Sequence, residues 1–317
     1  MTNRVRLFIA FSSAVLVMLG IEPSPAAAQA NQYIVSFVPG TPRAARAAMS
    51  ARHGAALRFN YGIIDGAAVS VPNQNVLRAL SQDPSVRSVV PDYPVFASQS
   101  SKAGKGKPGG GDPGPTPQVL PPGVQRVGAP TATSDGAGIG VAIIDTGIDS
   151  AHGDLAPVAG AYNAFDDTTN CQDDNGHGTH VAGTVAALDN PIDVVGVAPG
   201  ATLYCVKALN AQRSGSWSTI IAGLDWIWNN RQTVSPAIRV VNMSLGGGGT
   251  DTDSPFRQAI QRLYDAGIIV VVAAGNDPSI DVKDQVPAAY SQSGYVLTVA
   301  STTAAAGSPN CGVVVQP

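Results

Sequence analysis

Charge is scarce in this 317-residue chain: 13% of residues are Asp, Glu, Lys or Arg, and the formal net charge is −3. So few cations make no basic stripe, which argues against a nucleic-acid partner. Aromatic residues reach only 6%, too few for a surface that stacks sugars or bases. The three cysteines, Cys171, Cys205 and Cys311, include no closely spaced pair, so a cysteine-held zinc is not expected. Beyond the N-terminal segment no apolar run is long enough to cross a bilayer. Gly, Ala and Val are plentiful instead, a composition that suits a compact α/β body around a buried sheet.

Residues 1–30 have the order of a secretory signal. Arg4 and Arg6 precede a mostly apolar run over residues 7–19, Pro23 and Pro25 break it, and Ala28-Gln-Ala30 supplies small residues for cleavage. The alternative is a buried N-terminal helix. Export would place the cysteines in an oxidising compartment. One disulfide is then possible, with Cys171–Cys205 the first pairing to test and one thiol left over.

Residues 31–97 read as a small α+β module. Strands are expected at 33–38, 67–71 and 85–90, and helices at 42–53 and after Asn73, where Val76, Leu77 and Leu80 share a face. The order βα(β)βαβ is a split, ferredoxin-like pattern. Residues 98–117, rich in Gly, Pro, Ser and Lys, bury little and read as an exposed linker open to proteolysis. From residue 118 to 317 the pattern changes. Apolar runs at 141–144 and 268–273 look like strands buried on both faces of a parallel sheet. Shorter strands are expected at 203–207, 239–243 and 295–300, and helices at 177–188, 217–229 and 255–266. Such alternation predicts a doubly wound α/β domain with its site at the carboxyl ends of the strands.

Two motifs carry chemistry. Asp145 follows the 141–144 run directly, in Asp145-Thr-Gly-Ile-Asp149, where a carboxylate can orient a base. Taken alone, an Asp that caps a turn is the commoner case. His177 opens a helix in Asn175-Gly-His-Gly-Thr-His180, with glycines on both sides that permit close approach. His180 does not complete a zinc helix, which needs His-Glu-x-x-His, and is expected to be a packed, hydrogen-bonded histidine. Gly136-Ala-Gly-Ile-Gly140 is no dinucleotide loop, because those glycines precede a strand rather than follow it.

Together with Asn175-Gly-His-Gly-Thr-His-Val-Ala-Gly183, Asn242-Met-Ser-Leu-Gly246 and Ala273-Ala-Gly-Asn276, the Asp145 block resembles, in order, the signature blocks of the subtilisin-like serine protease family. The resemblance implies a subtilisin-like α/β fold behind an inhibitor-type propeptide, and an Asp-His-Ser mechanism acting on polypeptides. Asp145 would orient His177, His177 would serve as general base, and Asn276 would donate to the oxyanion. Ser214, Gly215, Ser244, Leu245 and Gly246 would flank an extended peptide. Trp217 would be either a pocket wall or a core residue, and Gly246 to Gly249 imply a shallow, apolar or broad nearest pocket. A structural calcium is implied at Gln118, Asp154, Leu188, Asn190, Ile192 and Val194. The stretch Val89-Val-Pro-Asp-Tyr-Pro-Val-Phe96 would lie in the cleft like a product, within a secreted monomer.

One part of the pattern is missing. The family's nucleophile lies in a Gly-Thr-Ser-x-Ala stretch that opens a helix, and residues 1–317 contain none. Ser308 is followed by Pro309 and has no helical periodicity behind it. The expectation is therefore a protease domain cut before its nucleophile, inactive and exposing apolar surface when alone. A noncatalytic protein acting through its inhibitor-like module is the competing reading.

Overall fold

The computed structural model describes residues 31–98 and 116–301. The expected signal segment, nearly all of the linker, Cys311 and Ser308 lie outside the described residues.

The first module follows the expected order: β1 (Gln32–Phe37), α1 (Arg43–Arg52), β2 (Ala56–Asn60), β3 (Gly66–Ser70), α2 (Gln74–Ser81) and β4 (Val86–Pro91). Its sheet runs β2-β3-β1-β4, with every neighbouring pair antiparallel. Asn73 caps α2 as its sequence position implied, its side chain accepting from the amides of Asn75 and Val76. The period of two splits the sheet cleanly. Val35, Phe37, Ala67 and Val69 pack with Met49 and Leu80 into a private core. Ile34 and Ala68 face the other way and join the core of the second module.

The second module holds β6 (Gly140–Asp145), β7 (Gly160–Asn163), α4 (His177–Ala186), β8 (Thr202–Lys207), α5 (Trp217–Asn230), β10 (Ile238–Met243), α6 (Pro255–Asp265), β12 (Ile269–Ala273) and β14 (Leu297–Val299), after a short α3 (Pro122–Arg126). Its six-stranded sheet is ordered β14-β12-β10-β6-β8-β7, and every pair is parallel. This is an α/β fold of the expected class. Helices α5 and α6 pack together and cover one face, where Val241, Met243, Val270 and Val272 are buried. Helix α4 lies against β6 and β8. Away from it, the apolar side chains of Ile269, Leu297 and Val299 are 45–50% exposed.

A second, small sheet joins the modules. After β4 the chain forms β5 (Pro94–Ala97), which lies between β9 (Ser214–Ser216) and β11 (Leu245–Gly248) and is antiparallel to both. β13 (Gln285–Val286) completes it on the far side of β11. Of the stretch expected in the cleft, 89–91 belongs instead to β4 and pairs with β1. The inserted strand begins later, at Pro94, and its contacts continue to Ser98.

Candidate active site

Strand β6 sits where the strand order turns from the β8 side to the β10 side, the place where open α/β sheets hold their ligands. Asp145 is its last residue and is fully buried. Its Oδ1 accepts from the amide of Thr146 at 2.7 Å and meets His177 Nδ1 at 2.7 Å. His177 is the first residue of α4. The loop after β6 and the start of α4 touch so closely that a side chain at Gly178 would strike the Gly147 carbonyl, its Cβ falling 2.1 Å away. Gly147 itself has φ +118° and is hemmed in by the backbone of Cys171 and Gln172.

A carboxylate only accepts, so the imidazole proton facing Asp145 rests on Nδ1. The other nitrogen, Nε2, points at the carbonyl oxygen of Ser98 at 3.3 Å. Burial lowers the imidazole pKa, but the hydrogen bond and charge of Asp145, aided by the Ser98 carbonyl, outweigh it and raise the pKa above its ordinary value. The ring is therefore poised to take a proton at Nε2 and hold it against a buried anion.

The five backbone-contact residues converge on β5. Val95 pairs with Gly215 and Phe96 with Ser214, while Leu245 pairs with Ala97 and Gly246 with Phe96. The Ser98 amide donates to the Ser244 carbonyl at 2.8 Å, and that of Ala97 to the Arg213 carbonyl at 3.0 Å. Val95 and Ala97 are buried and Phe96 is exposed, the alternation of a strand with one face packed inward. Asn276 is exposed beyond β12, reached through Gly275 at φ +95°.

Trp217 is buried, with Tyr93 at 4.9 Å and Phe256 at 5.8 Å between ring centroids. It is a core residue here, and one of the rings covering it comes from the segment leading into β5. His180 departs from expectation: it is exposed. The buried stripe of α4 is Gly178, Ala182 and Ala186, and at 100° per residue position 180 falls on the opposite side of the helix. The Cys171–Cys205 disulfide is formed, with Cα atoms 6.1 Å apart. It fastens the loop before His177 to the middle of β8.

The six residues assigned to calcium lie in one loop system, closed by bridges between Pro117 and Ile192 and between Val119 and Val194. The buried Asp154 carboxylate accepts from Asn190 Nδ2 at 2.9 Å and from the Val194 amide at 3.2 Å, and Gln118 Nε2 donates to the Leu188 carbonyl at 3.2 Å. Among the described residues no group of three His, Cys, Asp or Glu is placed to hold a metal ion. A cation here would be held by one carboxylate with amide and carbonyl oxygens, a set that fits calcium once the two amides turn their oxygens inward.

Sequence reasoning missed the contacts that seat the first module. Asp92, fully buried, accepts from the Ser218 amide at 2.9 Å and its hydroxyl at 2.6 Å in the first turn of α5. Arg58 approaches the same carboxylate at 3.3 Å. Asp225 of α5 returns the favour, accepting from the amides of Gly62 and Ile63 at 2.8 and 2.6 Å. A lone Asp between two prolines and an Asp on an amphipathic helix carry no signal of the amides they accept from, which lie 126 to 163 residues away in sequence.

Comparison with known proteins agrees with this geometry. The sequence model of the subtilase family matches residues 136–311. Subtilisin DY of Bacillus licheniformis is 43% identical over 178 residues, 55% of this chain and 62% of its own length. Subtilisin amylosacchariticus of Bacillus subtilis subsp. amylosacchariticus is 33% identical over 290 residues, 89% of this chain and 69% of its own length. Subtilisin Savinase of Lederbergia lenta is 45% identical over 162 residues, 50% of this chain and 56% of its own length. The chain thus spans between 56% and 69% of the length of these relatives. A matched family sequence, an all-parallel α/β sheet and a carboxylate–imidazole pair at its switch point agree: the chain belongs to the subtilase family.

Proposed function

We propose that this chain belongs to an exported serine endopeptidase precursor, with residues 31–97 acting as an inhibitor-type propeptide. The observation that carries the reading is the seat of β5: an extended segment of the chain's own first module fills the groove between β9 and β11, its Ser98 carbonyl at the free nitrogen of His177. A peptide substrate would be laid down in the same way, as an added antiparallel strand.

In this mechanism Asp145 holds His177 in the tautomer whose Nε2 accepts the proton of a serine hydroxyl, and steadies the imidazolium that results. His177 then returns the proton to the leaving amine. Asn276 donates its side-chain amide to the developing oxyanion. Val95 and Ala97 mark where alternate substrate side chains would be buried, and Gly246 to Gly249 suit apolar or varied side chains near the scissile bond. Calcium, bound through Asp154, Gln118, Asn190 and the carbonyls of Leu188, Ile192 and Val194, would brace the loop behind α4. Residues 1–30 would direct export, and the 98–117 segment would be the place of maturation.

A second reading, in which the chain acts only through its inhibitor-like module, draws on the same seat of β5 in the groove. The test is to fuse the serine-bearing C-terminal segment of a subtilisin to this chain and assay a chromogenic peptide. The fused protein is expected to hydrolyse it, with His177→Ala costing on the order of a million-fold, a scale established on a subtilisin. The chain without the fusion is expected to be inactive. Hydrolysis unaffected by His177→Ala would end the catalytic reading and leave the inhibitor module.

A further inference from the structure

The Asp145–His177 hydrogen bond joins two elements, the end of a strand and the start of a helix, that a single 2.7 Å contact cannot hold in register. A displacement of the helix start by about 1 Å would take that bond beyond useful length. What fixes the distance lies one residue further on. Thr146 is fully buried, and its hydroxyl donates to Asp173 Oδ1 at 2.8 Å while accepting from the Gly178 amide at 2.9 Å. Asp173 in turn gathers the start of α4. Its Oδ1 accepts from the amides of Asn175 and Gly176 at 3.0 and 2.9 Å, and its Oδ2 from the amide and hydroxyl of Thr179 at 2.9 and 2.6 Å. The backbone carbonyl of Thr146 is held from below by Lys207, whose ammonium also meets Asp174 at 2.7 Å. Through these bonds the residue after Asp145 is tied to both sides of His177.

We propose that Thr146 and Asp173 are positioning residues for the Asp145–His177 pair, the threonine hydroxyl setting the distance between strand end and helix start. The inference rests on the reading of that pair as the site's acid–base couple. A hydroxyl is required because the position must donate to a carboxylate and accept from an amide at once, which neither valine nor alanine can do. The low pKa of Asp173 agrees: burial works against it, yet the hydrogen bonds from Thr179, Gly176 and Asn175 keep it charged. The charged groups acting on the ring are Asp145 from β6 and Arg213 from the loop before β9, and only Asp145 favours the imidazolium.

The test uses the chain as it stands and reads the imidazole rather than hydrolysis. With 4 histidines in the chain, NMR titration can follow each ring, His177 being assigned through His177→Gln. Thr146→Val is expected to lower the His177 titration midpoint by about 0.5–1 pH, the lower end of what a lost carboxylate contact does, and to remove the downfield Nδ1 proton signal. Thr146→Ser is expected to keep both. An unchanged midpoint and signal in a folded Thr146→Val chain would overturn the proposal, since a merely structural threonine would lower the melting temperature and leave the ring alone. If the valine chain does not fold, Asp173→Asn takes its place, with the same direction expected and an unchanged ring again the contrary result. Failure of the peptidase assay with the expected titration would instead strike the catalytic reading and spare the tie.

Discussion

The two modules are built on opposite principles. In residues 31–91 the strands are antiparallel neighbours, the helices are close in sequence, and one face of the sheet encloses its own core around Val35, Phe37, Met49 and Leu80. In residues 116–301 every strand of the main sheet is parallel to its neighbours, so each pairing waits on a long crossover. Short-range contacts form quickly and long-range parallel pairings slowly. The slower module is also the less self-sufficient: its core cluster includes Ile34, Tyr61, Ile63 and Ala68 from the first and Val95 from the strand that follows it, and the first turn of α5 donates to Asp92 just after β4. What the contrast teaches is a direction of support. The first module presents a finished surface, and the second completes itself against it.

That contrast can be broken in order of expected effect. Replacing Cys171 and Cys205 by serine removes a crosslink across 34 residues, worth roughly 3–4 kcal/mol by chain entropy. Urea unfolding should show the second module losing that stability while signals from β1 to β4 keep their midpoint; a shift in both alike would mean the modules are one cooperative unit. Asp92→Ala should cost about 2–3 kcal/mol, the worth of hydrogen bonds to a charged group. The loss should appear as undocking, with Trp217 fluorescence shifting to the red as Tyr93 leaves it, while the first module's own fold persists. An unshifted Trp217 would show that Asp92 is not the anchor. The smallest effect concerns acid. In the first module the Ser85 hydroxyl, then His53 and the Ser85 amide, hold the Asp83 carboxyl well below the usual carboxylate range. A depressed folded pKa gives stability that is present above about pH 4 and fades as pH falls through the folded value. Urea midpoints of the first module should therefore drop between about pH 4 and pH 2, and Asp83→Asn should flatten that slope.

Much of this architecture was legible in the residues because its causes are local. The run Val141, Ala142, Ile143, Ile144 looks like a strand covered on both faces, and it is one. Asp145 and His177 were singled out by lying in blocks that resemble, in order, those of the family, since a strand-end Asp alone is more often a turn cap. Strands β5, β9, β11 and β13 were not predicted as strands from propensity, because runs such as Ser214-Gly-Ser216 and Leu245-Gly-Gly-Gly248 owe their extended state to the partner lying between them. β7 escaped for a similar reason, being a four-residue edge defined only by β8. The boundary of the inserted segment was misplaced because Val89, Val90 and Pro91 look as extended as the residues after them, and only pairing with β1 assigns them to the first sheet. His180 was expected to be packed once a zinc role was set aside, whereas helix geometry turns it outward.

In the proposed function, residues 94–98 occupy the groove that a peptide substrate would take. Amide hydrogen exchange of the intact chain measures this directly, at Ala97 and Ser98. If the Arg213 and Ser244 carbonyls hold these amides as described, both should exchange as slowly as the central amides of β8, and Asp92→Ala should release them together. Exchange at the rate of an unstructured segment, with β6 and β8 still protected, would contradict the account.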